Sequence, residues 1–219
     1  MMKKKIAFFH STLNTPAVMS EAFKKRFPGV PLINVVDDSI LPEVTANGDK
    51  HTPGIVRRLA FFAINAQMQG AAAAVCMCTT LGGAVAEAAK AVDIPFVTID
   101  GPMLENAVQS GEKVALIITA RTTRKASGDA ARAAACRMGR DVQTDVILVE
   151  GAFEALNEQG DKELHDALIE QAARKAAEDY DVIVLAQVTM AFIAERLSDL
   201  PVPVLTSIES GIEQLTAWL

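Results

Sequence analysis

Aromatic and basic residues are the scarce commodities in this sequence. One tryptophan and one tyrosine occur in 219 residues, and 21 lysines and arginines face 27 acids, for a net charge of −6 and a pI near 5.1. Neither a basic face nor a row of stacking aromatics is on offer, which excludes nucleic acid as a partner. Cysteine is also rare. Three thiols cannot all pair with one another and supply no set of four metal ligands, so neither a disulfide framework nor a metal site is expected, and a reducing compartment with free thiols is the economical reading. Long apolar runs are missing as well. Ile6 to Phe9, behind the basic start MMKKK, is too short for a signal segment, and no stretch reaches membrane-spanning length. A soluble cytoplasmic protein without a membrane partner follows as the expectation, with Lys3 to Lys5 as a solvated edge.

What the chain does have is apolar bulk: 50% of its residues are hydrophobic, enough for a sizeable core. Short apolar runs alternate with alanine-rich stretches of helical spacing. Strands are predicted at Lys5 to Phe9, Pro31 to Val36, Ala72 to Met77, Phe96 to Ile99, Val114 to Ile118, Asp145 to Val149, Asp181 to Leu185 and Val202 to Thr206. Helices are predicted at Thr15 to Phe27, Pro53 to Gln69, Gly83 to Val92, Pro102 to Ser110, Thr123 to Met138, Lys162 to Glu178, Thr189 to Leu197 and around Glu209 to Leu219. Strands apolar throughout, separated by helices, predict an α/β fold of parallel sheets covered on both faces.

The chain also repeats. Lys5 to Ser11 (KIAFFHS) aligns with Lys113 to Thr119 (KVALIIT) at an offset of 108 residues, and the same offset carries Ile94 to Thr98 onto Val202 to Thr206. Two pseudo-symmetric lobes are therefore expected, residues 1–98 with 208–219 forming one and 99–207 the other, with the active-site cleft between them. Residues following the strands are rich in hydroxyls: Ser11, Thr12, Thr79, Thr80, Thr119, Thr122, Thr123 and Thr189. Each can cap a helix. Together with helix N-terminal N–H groups they can also bind an anion, and a carboxylate is the ligand expected.

CTTLGG at 78–83, IAFFHST at 6–12, DDSILPE at 37–43, TPGIVRRL at 52–59, IDGPMLENAV at 99–108, ITARTT at 118–123, VEGAFEAL at 149–156 and VLAQVTMA at 184–191 lie in an order that resembles the aspartate/glutamate/hydantoin racemase superfamily across nearly the whole chain. The resemblance implies two similar α/β lobes, no cofactor, and a small carboxylic acid as substrate. In the racemases one cysteine from each lobe flanks the substrate α-carbon, one removing a proton and the other delivering one.

Cys78 matches the first of those cysteines. A thiol titrates closer to neutrality than a hydroxyl or an amine, and a helix N-terminus would lower its pKa further. Cys76, inside a strand, and Cys136, in a helix, read as small buried hydrophobes. The second cysteine has no counterpart: the family pattern puts Gln187 there, whereas a strict 108-residue offset from Cys78 gives Ala186. Neither can carry a proton, so racemization by paired thiols is not open to this chain. Gln187 can still orient a substrate or stabilise an enolate, or satisfy buried backbone. Glu150 is the candidate replacement acid in the second lobe. His10 is placed to set the ionisation of Cys78, and a Cys-His hydrolase would require it within bonding reach. Asp37 and Asp38 read as turn residues, and His51 and His165 as surface residues without partners.

The expected function is a cofactor-independent isomerase that moves a proton at the α-carbon of a small carboxylic acid. Cys78, Gln187 and Glu150 are the candidate catalytic residues and the eight hydroxyls the candidate substrate contacts. A decarboxylase or lyase using a single cysteine, and a carboxylate-binding protein without turnover, are the alternatives. A homodimer is an open option for assembly.

Overall fold

The computed structural model describes residues 4–219, so Lys3 of the predicted basic edge lies outside the described residues. Lys4 is exposed, but Lys5 is half-buried and its Nζ donates to the Gln69 carbonyl at 2.9 Å. All eight predicted strands are present: β1 (Lys5–His10), β2 (Leu32–Val36), β3 (Ala71–Cys76), β4 (Phe96–Thr98), β5 (Lys113–Ile118), β6 (Gln143–Leu148), β7 (Val182–Leu185) and β8 (Val204–Thr206). They form two four-stranded parallel sheets with the same internal order, β2-β1-β3-β4 and β6-β5-β7-β8.

The helices are α1 (Thr15–Arg26), α2 (Ile40–Ala46), α3 (Pro53–Met68), α4 (Gly82–Ala88), α5 (Gly101–Ser110), α6 (Thr123–Arg137), α7 (Ala152–Asn157), α8 (Lys162–Ala176) and α9 (Ser207–Glu213). Local chemistry sets their ends. Thr52 accepts the Ile55 N–H at 3.2 Å and Pro53 follows, opening α3; Asp161 accepts the Leu164 N–H at 2.9 Å, opening α8. Lys24, Lys25 and Arg26 occupy the last turn of α1, where cations favour the helix dipole. Two short helices, α2 and α7, are absent from the sequence-based assignment. The helix predicted at Thr189 to Leu197 winds instead as the tighter 3₁₀ form, Val188–Leu197.

The chain divides into two units. One runs up to Ile99 and is completed by Ile208–Leu219; the other is Asp100–Ser207. In the first, alternate strand residues face opposite ways: Ala7, Phe9, Ala74 and Cys76 pack with Ile55, Leu59, Phe62 and Val85 of α3 and α4, whereas Phe8 meets Phe23 of α1 edge-on at 5.5 Å. In the second, Val114, Leu116 and Ile118 pack with Leu104, Val108 and Ala131 of α5 and α6, while Ala115 and Ile117 join Ile169 and Ala173 of α8. Both faces of each sheet are thus covered by helices, the arrangement that near-continuous apolar strands require.

Candidate functional site

In the first unit, β1 and β3 run side by side and end together. Met77 N–H donates to the Phe9 carbonyl at 2.8 Å, extending the pairing past the strand, and this brings Ser11 beside Cys78. Cys78 is extended, with φ −146° and ψ 110°, and partly exposed. The chain then closes a 3₁₀ turn, Thr79–Leu81, before α4 starts at Gly82. The thiol therefore precedes a tight turn rather than an α-helix, which corrects the expected helix N-terminus.

Four donors address the sulfur: the Ser11 hydroxyl, the Leu81 and Thr80 N–H groups, and the Thr80 hydroxyl. Each favours the thiolate. Loss of hydration outweighs them, and burial pushes the Cys78 thiol above its ordinary value. A depressed pKa, expected from the sequence, is replaced by a raised one, and Cys78 rests as a protonated thiol at neutral pH. Cys76 is fully buried with its Sγ 3.8 Å from the Cys78 carbonyl, whereas Cys136, expected to be buried, is exposed.

His10 does not reach the sulfur. Its Nδ1 lies 2.8 Å from Thr15 Oγ1 and its Nε2 2.9 Å from Asn34 Oδ1, so both ring nitrogens are committed elsewhere. A Cys-His pair through His10 is thereby ruled out. His51 corrects the sequence reading in the opposite sense: it is half-buried, and its Nε2 lies 2.8 Å from the Thr80 carbonyl oxygen, beside the sulfur's own donors. No sequence motif marks it, because it approaches from the loop before α3. Asp37 shapes its turn by accepting from the Ser39 N–H and hydroxyl, and also pairs with Arg58, which holds Glu43 at 2.8 Å. Thr12 and Thr79 are partly exposed at the same strand ends, and Thr80 is buried.

The second unit builds the equivalent turn. Ala186 N–H donates to the Ile117 carbonyl at 3.1 Å, as Met77 does to Phe9, and Gln187 follows in an extended conformation, φ −134° and ψ 141°, immediately before a 3₁₀ segment. Gln187, not Ala186, therefore takes the place of Cys78. The partner hydroxyl is also matched. Ser11 serves Cys78, and Thr119, 108 residues on, serves Gln187: its N–H and hydroxyl donate to Gln187 Oε1 at 2.7 and 2.9 Å. The amide oxygen thus satisfies backbone, one of the two roles read from the sequence, and the amide N–H groups stay free of that contact.

Glu150 is two-thirds exposed and bonded to Arg121 at 2.6 Å, so it is a surface ion pair rather than a buried acid. Thr123 is buried in the first turn of α6, while Thr122 and Thr189 are partly exposed. His165, expected at the surface, is buried with Nδ1 2.9 Å from Asp166, outside these turns on α8. Among the described residues no group of three or more His, Cys, Asp or Glu is placed to hold a metal ion, and no helix is long and apolar enough to cross a membrane.

The family model described as Asp/Glu/Hydantoin racemase matches residues 9–215. Among solved structures, a glutamate racemase isoform from Bacillus anthracis superposes with a TM-score of 0.73 at 16% identity, covering 98% of this chain and 80% of that one. An aspartate racemase from Picrophilus torridus gives 0.71 at 14% identity, covering 98% and 93%. Unliganded arylmalonate decarboxylase gives 0.60 at 16% identity, covering 99% and 92%. No curated protein matches by sequence.

Proposed function

Because the chain belongs to the Asp/Glu/hydantoin racemase family, we propose that it is a cofactor-independent enzyme that transfers a proton at the carbon beside the carboxylate of a small acid, with Cys78 as the proton carrier. The observation that carries this reading is the Cys78 turn, where four hydrogen-bond donors converge on the sulfur of a partly exposed residue. A buried structural cysteine has no need of such a set. The donors would stabilise the thiolate left behind after the proton is given up, and burial keeps that proton on the sulfur until it is needed.

The resting thiol favours one direction of transfer. Racemization needs a base to remove the α-proton and an acid on the opposite face, and Gln187, in the position of the second thiol, can be neither. Decarboxylation of a substituted malonate needs no base. The C–C bond breaks to release CO2, its electron pair forms an enediolate, the Cys78 S–H delivers its proton to the carbon, and water then reprotonates the sulfur. Thr12 and Thr79, at the same strand ends, are the proposed contacts for the carboxylate that remains. The likeness to arylmalonate decarboxylase supports the fold this requires.

Incubation in deuterated water with substituted malonates, amino acids and hydantoins tests the reading. CO2 release with one deuterium at the α-carbon is expected from a malonate, and Cys78→Ala should lower the rate by about 100-fold or more with the circular dichroism spectrum unchanged. Deuterated amino acid with both enantiomers formed assigns racemization instead. Full activity in Cys78→Ala refutes the role of the sulfur, and silence across the panel leaves a carboxylate-binding protein.

A further inference from the structure

The donors around Cys78 have a layer behind them. His51 Nε2 lies 2.8 Å from the Thr80 carbonyl oxygen. A carbonyl only accepts, so Nε2 carries the hydrogen and donates it. The same peptide group ends, on its other side, in the Leu81 N–H, which addresses the Cys78 sulfur and also closes the turn on the Cys78 carbonyl at 3.2 Å. A donor placed on an amide's oxygen polarises the whole group and strengthens its N–H, so hydrogen bonds linked through one peptide reinforce each other by about 10–30% per bond.

The ring is held in place independently of the sulfur. A Cβ built at Gly83 would lie 3.5 Å from both Cε1 and Nδ1 of His51, ordinary van der Waals contact, so the imidazole packs against the start of α4. On the other side Thr52 is fixed as the cap of α3 and donates to Glu43 at 2.6 Å, and Glu43 is held in turn by Arg58. We propose that His51 is a positioning residue, which fixes the Thr80–Leu81 peptide by hydrogen-bonding its oxygen and so aims the Leu81 N–H at the Cys78 sulfur. The proposal rests on the reading of Cys78 as the proton carrier, and His51 itself touches neither sulfur nor substrate.

The test reads Cys78 directly and requires no substrate. Iodoacetamide alkylation is followed from pH 6 to 10, with Cys78 resolved from Cys76 and Cys136 by peptide mass spectrometry, in the native protein and in His51→Ala, His51→Phe and His51→Gln. His51→Phe keeps a ring in the seat without a donor; His51→Gln keeps an N–H. Cys78 should alkylate about five-fold more slowly at pH 8 in the Ala and Phe variants, with its titration moved upward, and within about two-fold of native in the Gln variant. Exposed Cys136 should react at an unchanged rate in all four as the control for the reagent, and buried Cys76 should stay unreactive and so report an intact fold. An unchanged Cys78 rate in His51→Phe, or a loss in His51→Gln as large as in His51→Phe, overturns the proposal. A responsive Cys78 with a silent substrate panel refutes the proposed reaction and leaves the His51 relay standing; turnover with a Cys78 indifferent to His51 does the reverse. A native Cys78 that never alkylates overturns both.

Discussion

His10 should set the acid limit of the first unit's stability. Its ring is fully buried on β1, and Nε2, facing the Asn34 amide oxygen, must carry a hydrogen, which leaves Nδ1 to accept from the Thr15 hydroxyl. The neutral ring is satisfied on both sides. Burial, the larger effect, lowers the His10 pKa, and the Asn34 hydrogen bond offsets part of that. In the unfolded chain the imidazole regains its ordinary value of about 6.5. The unfolded state therefore holds the proton more tightly, so the contribution is complete above about pH 6.5 and is lost as the pH falls toward the folded value. One proton limits the slope to about 1.4 kcal/mol per pH unit, so acidification from pH 6.5 to 5 should cost up to about 2 kcal/mol from this residue. Urea unfolding between pH 7.5 and 5 measures it, with His10→Gln as the comparison: the variant should be less stable throughout but flatter below pH 6.5. Parallel curves would refute the argument. Because β1 leads straight into Ser11, the same acidification should loosen the hydroxyl that serves Cys78.

Two further perturbations bear on the framework. Burial alone would raise the Asp37 carboxyl, but hydrogen bonds from Arg58 and Ser39 outweigh it and hold it below the usual range, so its contribution is present above about pH 4 and lost as the pH falls through the folded value. A double-mutant cycle of Arg58→Ala with Asp37→Asn should give a coupling of about 1–2 kcal/mol at neutral pH, since the pair is only partly exposed; additivity would show that the ion pair contributes nothing. In Gly211→Ala the new Cβ would lie 2.4 Å from both the carbonyl oxygen and Cδ1 of Ile99, and the oxygen, being backbone, cannot rotate away. The cost should be about 2–3 kcal/mol, or a Tm lower by roughly 4–12 °C. Gly101→Ala, with nothing within 4 Å, should leave Tm nearly unchanged in the same calorimetric scan.

Strand positions were legible because each strand is apolar on both faces and bounded by turn residues, a pattern that survives without knowledge of the partners. The repeat was legible for the same reason: β1 and β5, β4 and β8, and the starts of α1 and α6 all keep the 108-residue offset. The two short helices were not. Pro42 lies inside α2, and Gly151 stands just before α7 with φ 79°, so both segments read as turns. The turns that hold Cys78 and Gln187 were legible because each residue stands two positions past the end of a strand. The sequence could not carry His51, whose partner is a backbone oxygen 29 residues away, nor the raised pKa of Cys78, which depends on how much water the folded chain removes from the sulfur. Local chemistry is written along the chain; desolvation is a property of the assembled neighbourhood.

The division of the chain has a consequence for its synthesis. Asp100–Ser207 is one uninterrupted stretch, so it can collapse while still emerging from the ribosome, whereas the other unit must wait for Ile208–Leu219 to supply the contact of Gly211 with Ile99 and the pairing of Arg26 with Glu213 at 2.7 Å. The half that carries Cys78 is thus translated first and sealed last.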